Sequence, residues 1–82
     1  MNQKLIEIVG KELKLLRTDK DLSLEEASSI ITIKQQTLSQ YENAKTNMSL
    51  DKLDEILTSY GVDKFIFFKK VCERYSQSDK GE

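Results

Sequence analysis

The chain has no histidine, no tryptophan and no proline, and only one cysteine. Without histidine it lacks the commonest general base and metal ligand near neutral pH. Cys72 cannot close an internal disulfide, which fits a reducing cytoplasm. With no histidine to activate it, Cys72 reads as a small apolar side chain rather than a nucleophile. The three glycines, Gly10, Gly61 and Gly81, are isolated, so no phosphate-cradling loop is spelled out. No apolar run approaches the length of a membrane span, and Met1-Asn2-Gln3-Lys4 opens no signal peptide. Carboxylate pairs such as Glu25-Glu26 stand at helix starts, where capping accounts for them. The expectation is a protein without catalytic chemistry, bound metal or cofactor.

What remains is 82 residues, 38% of them hydrophobic, enough for one domain with one modest core. Charge is also scarce in net terms, with 13 basic against 14 acidic residues. A net of −1 runs against the basic face usual in DNA binders. The distribution matters more than the sum. Asp51, Asp54 and Glu55 crowd one segment, whereas 32–47 holds Lys34 and Lys45 against Glu42 alone. A weakly positive edge on a slightly acidic body is the result, with heavy reliance on dimerisation for affinity.

Periodicity predicts five helices. The first, capped by Asn2, runs from about Gln3 to Thr18, with Leu5, Val9, Leu13 and Leu16 as its apolar stripe and Lys4, Glu7, Lys11, Glu12 and Lys14 on other faces. Gly10 weakens that helix by about 1 kcal/mol relative to Ala but permits a close crossing. After a polar loop over 18–21, Ser23 and Glu26 form a capping box for a helix to about Ile31, burying Ala27 and Ile31, with Ile33 plugging the turn that follows. Lys34 is a poor cap for the third helix, 35–43, whose N-terminal amides are left free for phosphate or water. Ser49 caps the fourth, with Leu50, Leu53, Ile56 and Leu57 as its buried stripe and Gly61 closing it. Asp63 caps the last, which runs from Lys64 to about Tyr75. Residues 1–75 are read as one domain and the polar 76–82 as a frayed tail.

The third helix carries the chemistry. Leu38 and Tyr41 lie on one face, and Gln35, Gln36, Ser39, Gln40 and Asn43 cover the other. A merely solvated face is usually dressed with Lys and Glu. A glutamine amide presents donor and acceptor side by side and matches the N6/N7 edge of adenine in the major groove. A polar surface that is Gln-rich by chance is the alternative, and these residues alone leave the two even.

The wider stretch LSLEEASSIITIKQQTLSQYENAKTNMSLDKL, Leu22 to Leu53, breaks the tie. It resembles the helix-turn-helix of the lambda-repressor/Cro-like (XRE) regulators, without a gap from Val9 to about Phe68. Leu22-Ser23, Glu25-Glu26, Thr37-Leu38-Ser39, Glu42-Asn43, Lys45, Ser49-Leu50 and Leu53 fall in step with the family string. The run Gln35 to Asn43 is especially similar to lambdoid phage repressors that read operators with glutamines. The resemblance implies an all-α, five-helix domain that binds double-stranded DNA as a dimeric regulator, a repressor of phage or mobile-element type, on a palindromic operator. Base reading falls to Gln35, Gln36, Ser39 and Gln40. Phosphate holding falls to Lys34, Thr37, Asn43, Lys45, Thr46 and Asn47, with Lys14 or Arg17 as weaker candidates. By the same resemblance Arg17 and Glu42 form an internal salt bridge.

Four departures bear on shape and one on chemistry. Leu24 stands where the family has a Gln that grips a phosphate. Ser28 replaces an Ala at the helix crossing and is expected to bond back to a carbonyl one turn earlier. Thr32 replaces the turn Gly, so the turn should distort or the second helix run longer. Ala44 and Met48 replace a Gly and a Pro around the end of the recognition helix. Leu24 and the acidic balance keep a different reading open, a protein-binding module such as an antitoxin or anti-repressor on the same scaffold.

The last helix is too apolar for one side. Phe65, Phe68, Cys72 and Tyr75 step 3-4-3, and Ile66, Phe67 and Val71 add a second flank. Ordinary surface apolarity is one account; a partner helix is the favoured one. The expected homodimer interface is Phe65, Ile66, Phe68, Lys69, Cys72 and Tyr75, with Phe67 turned into the core.

Overall fold

The computed structural model describes residues 2–80, and side chains from 5 to 77. Five helices follow one another: α1 (Asn2–Asp19), α2 (Leu24–Ile31), α3 (Gln35–Glu42), α4 (Leu50–Tyr60) and α5 (Lys64–Lys80). Among the described residues all regular structure is helical, and no helix is long and apolar enough to cross a membrane. α1 packs against α3 and α5, and α2 against α3 and α4.

Local chemistry sets most boundaries. Ser23 Oγ accepts from Glu26 N while the Glu26 carboxylate accepts from Ser23 N, closing the capping box at α2. Ser49 Oγ accepts from Lys52 N at the start of α4, and Asp63 Oδ1 accepts from Phe65 N and Ile66 N at the start of α5. Gly61, at φ 70°, turns the chain out of α4 in the left-handed region that suits glycine. Ser28 Oγ donates to Glu25 O at 2.9 Å, so the hydroxyl is satisfied although Ser28 is buried.

The core is Leu13, Ala27, Ile31, Leu38, Leu53, Ile56, Leu57, Tyr60, Phe67 and Val71. Several expectations are corrected here. α1 begins at Asn2 and takes in Thr18 and Asp19, so Asn2 is helical rather than a cap and the loop is shorter than expected. Leu5 and Leu50, in the first turns of α1 and α4, are 46% and 77% exposed and lie outside the core stripe. Glu12, expected at the surface, is only 4% exposed. α5 continues to Lys80, so 76–80, expected as a frayed tail, is helical, while Gly81 and Glu82 lie outside the described residues. α3 ends at Glu42, with Asn43 as its C-cap.

The turn between α2 and α3 neither distorts nor lengthens α2. Thr32 adopts φ 69°, the left-handed conformation of the glycine it replaces, and its N–H still bonds Ser28 O at 2.8 Å. Ala44 does the same at φ 55° after α3. Tertiary packing on both sides of each turn overrides the local cost of placing a Cβ there.

Candidate nucleic-acid interface

α3 is held from behind. Leu38 is fully buried and Tyr41 is partly buried against the same core, which leaves the glutamine side of the helix outward. Gln35 and Gln36 are exposed, and Ser39 and Gln40 are half-buried. Lys34, the N-cap of α3, makes no side-chain cap bond. The first amides of α3 therefore have no side-chain acceptor from their own cap.

Two contacts to α1 fix the far end of α3. Arg17 Nε donates to Glu42 Oε2 at 2.7 Å and Arg17 Nη2 to Oε1 at 3.0 Å, a fork meeting both carboxylate oxygens. Arg17 Nη1 adds a bond to Leu22 O at 2.8 Å, tying the loop between α1 and α2 into the same arrangement. Arg17 and Glu42 are 7% and 6% exposed. The hydrogen bonds that Arg17 donates to Glu42 raise the Arg17 pKa above its ordinary value, against the opposing pull of burial. The second contact is steric. A Cβ on Gly10 would stand 2.6 Å from Glu42 O and 2.7 Å from Tyr41 O, so α1 crosses the end of α3 at a distance only glycine allows.

Tyr60 of α4 lies beside this pair. It is buried, its hydroxyl has no hydrogen-bond partner, and its pKa is pushed up to about 12, first by burial and then by the Glu42 carboxylate, with Arg17 opposing.

Around α3 the proposed phosphate holders differ in readiness. Lys34, Lys45, Thr46 and Asn47 are exposed, and Thr37 is half-buried. Asn43 is exposed, but its amide already donates to Ser39 O at 2.8 Å and reaches Ser39 Oγ at 3.4 Å. A phosphate would have to compete with that cap or take the remaining donor. Lys14 joins Lys11, Glu7, Asn43 and Ala44 along an open groove between α1 and the end of α3, so it stands by the interface. Arg17, the other weak phosphate candidate, has its guanidinium bonded to Glu42 and Leu22. Leu24 is half-buried against the core instead of standing free at the surface.

On α5 the side chains expected at an interface remain uncovered. Phe65 is 76%, Ile66 51%, Phe68 41% and Tyr75 37% exposed, with Lys69 and Cys72 exposed between them. Phe67 is buried and meets Phe68 edge-to-face at 5.6 Å.

Glu12 was missed by the sequence reading. It forms an ion pair with Arg74, linking α1 to α5. The signal was a carboxylate on the apolar stripe itself, three residues after Val9 and four before Leu16. Among the described residues no His/Cys/Asp/Glu group is arranged to hold a metal.

Comparison with known proteins agrees with this geometry. The helix-turn-helix family model matches residues 13–67, more than half of the chain. The solved restriction-modification controller protein C.Esp1396I superposes with a TM-score of 0.83 at 19% identity, covering 89% of this chain and 95% of that one. A variant of C.Esp1396I bound to its highest-affinity operator site gives 0.77 at 20% identity, covering 84% and 91%. ClgR, the clp gene regulator of Corynebacterium glutamicum, gives 0.78 at 21% identity, covering 85% and 91%. No curated protein sequence matches significantly. The exposed second helix of the motif, its bracing from α1 and the match over 13–67 lead to one assignment: the chain belongs to the XRE-type helix-turn-helix family of DNA-binding transcription regulators.

Proposed function

We propose that this protein is a small dimeric repressor of phage or mobile-element type, acting in the cytoplasm on a palindromic operator. The observation that carries the reading is the outward amide face of α3, Gln35, Gln36, Ser39 and Gln40, on a helix braced by Arg17–Glu42. A rigid helix is what side chains need to meet base edges in register. Gln35 and Gln36 open the helix and probe deepest into the groove. Each bidentate amide contributes about 1–3 kcal/mol of discrimination. Lys34, Thr37, Asn43, Lys45, Thr46 and Asn47 hold the backbone on either side, with Lys14 behind them. Two copies joined through α5 supply the specificity that one short helix lacks. The likeness in fold to a restriction-modification controller protein is in keeping with a regulatory role.

Selection from a random DNA pool, followed by binding of the Gln35→Ala/Gln36→Ala/Gln40→Ala variant, tests the reading. A recovered palindrome and a variant with relaxed base preference support it. Unchanged binding by the variant removes α3 as the reader.

A second reading, a protein-binding module of antitoxin or anti-repressor type, is favoured by Leu24 in the place of a phosphate-gripping Gln and by the net charge of −1. Salt separates the two, because DNA affinity falls steeply with ionic strength through counterion release.

A further inference from the structure

α1 is tied to both working parts of the molecule. On one side Gly10 lies against the end of α3 and Arg17 grips Glu42. On the other, Glu12 pairs with Arg74 of α5. The Glu12 side chain is 5% exposed and that of Arg74 is 50% exposed, so the carboxylate is sunk between the helices and the guanidinium reaches it from the rim.

Phe67 and Val71 seat α5 in the core, and Lys64 meets Asp54 of α4 at 3.0 Å only as an exposed pair of small worth. Apolar burial is non-directional and tolerates small rotations. A buried carboxylate does not, because any tilt that withdraws Arg74 leaves the charge unpaired. α5 has 17 residues, about 25 Å of helix at 1.5 Å per residue. Tilting a lever of that length by about 8° moves one end by roughly 3.4 Å, about one base-pair rise for a turn of 34–36 Å over 10–10.5 base pairs.

We propose that the Glu12–Arg74 pair determines the half-site spacing that the protein accepts, by fixing the angle between α5 and the α1–α3 unit. The proposal rests on the reading that α5 joins two copies. Through α5 the two recognition helices stand at a set separation, and through this pair that separation is held. Glu12 and Arg74 are positioning residues and touch no DNA.

The test uses full-length protein and duplexes carrying the selected palindrome, with the half-site centres moved one or two base pairs closer or farther apart. Wild type should bind one spacing strongly over its neighbours. The Glu12→Gln/Arg74→Met variant, folded by circular dichroism and dimeric by sedimentation, should show that preference reduced by about fivefold, the low end of couplings between sites. Arg74→Lys, which keeps the charge at the rim, should retain most of it. A double variant that loses affinity equally at all spacings, keeps the wild-type profile, or fails to dimerise overturns the proposal. Wild type that sediments as a monomer while binding the palindrome defeats the α5 dimer reading itself, a distinct result.

Discussion

Arg17 of α1 and Glu42 of α3, 25 positions apart, meet through both carboxylate oxygens at 2.7 and 3.0 Å in a nearly dry setting. An acid at the end of the helix proposed to read DNA would repel phosphate, and the Glu42 charge is matched inside the protein. The pair thus removes an electrostatic penalty and locks the helix in one motion.

Breaking that pair from either side strands a buried charge, a loss of about 3–5 kcal/mol. Arg17→Met and Glu42→Gln should each lower the unfolding midpoint in urea, with Arg17→Met the more harmful because it also removes the bond to Leu22 O, whereas the Gln amide oxygen can still accept from Arg17. Denaturation curves of both variants check this. Midpoints equal to wild type would rule out a stabilising role.

Gly10→Ala should destabilise the protein even though Ala is the better helix former by about 1 kcal/mol. The added Cβ would meet backbone oxygens at 2.6 and 2.7 Å, and backbone cannot turn aside as a side chain can. Thermal melts should show a net loss, and operator binding should weaken with it because the end of α3 must move.

Thr32→Gly and Ala44→Gly should have the opposite sign. Both positions sit at positive φ, 69° and 55°, where a Cβ is crowded by the following carbonyl. Relief is worth up to about 1 kcal/mol each after the extra chain entropy of glycine is subtracted. A rise in melting temperature for either variant is the expected outcome, and Thr32→Gly should gain more because threonine is β-branched.

Tyr60 gives the stability an alkaline limit. Its folded pKa of about 12 lies above the ordinary 10, so folding favours the protonated phenol. That contribution is intact below pH 10 and is lost as pH rises from about 10 towards 12. Tyr60→Phe removes a buried hydroxyl that has no partner, so it should be neutral or stabilising at pH 7 and less sensitive between pH 10 and 12. Urea midpoints of both proteins across that range check it.

Phe65, 76% exposed, is the most uncovered aromatic on α5. Phe65→Glu should leave the monomer folded, since no core contact is lost, and shift sedimentation to the monomer with much weaker palindrome binding. Dimer retained in this variant would move the interface elsewhere on the surface.

Local signals marked out most of the architecture from the sequence. Ser23, Ser49 and Asp63 announce helix starts because capping is a bond between neighbours in the chain, and Leu38, Leu53, Ile56 and Phe67 announce buried faces because a helix repeats its face every three or four residues. The amide row on α3 was legible for the same reason. Residues 76–80 continue α5 because a polar composition does not by itself end a helix already nucleated upstream.

What tertiary structure alone decided concerns pairs distant in the chain. Spacing places Glu12 on the apolar stripe of α1, but that Arg74 reaches it depends on where α5 lies across α1. Gly10 could be marked as permitting a close approach, but its neighbours, Tyr41 and Glu42, are set by the crossing of two helices. Thr32 and Ala44 went against local preference because the elements on either side leave the chain one way to turn, and packing summed over many contacts outweighs the cost at a single residue. Sequence wrote the helices and the amide face of α3; only the assembled fold determined the angles between them.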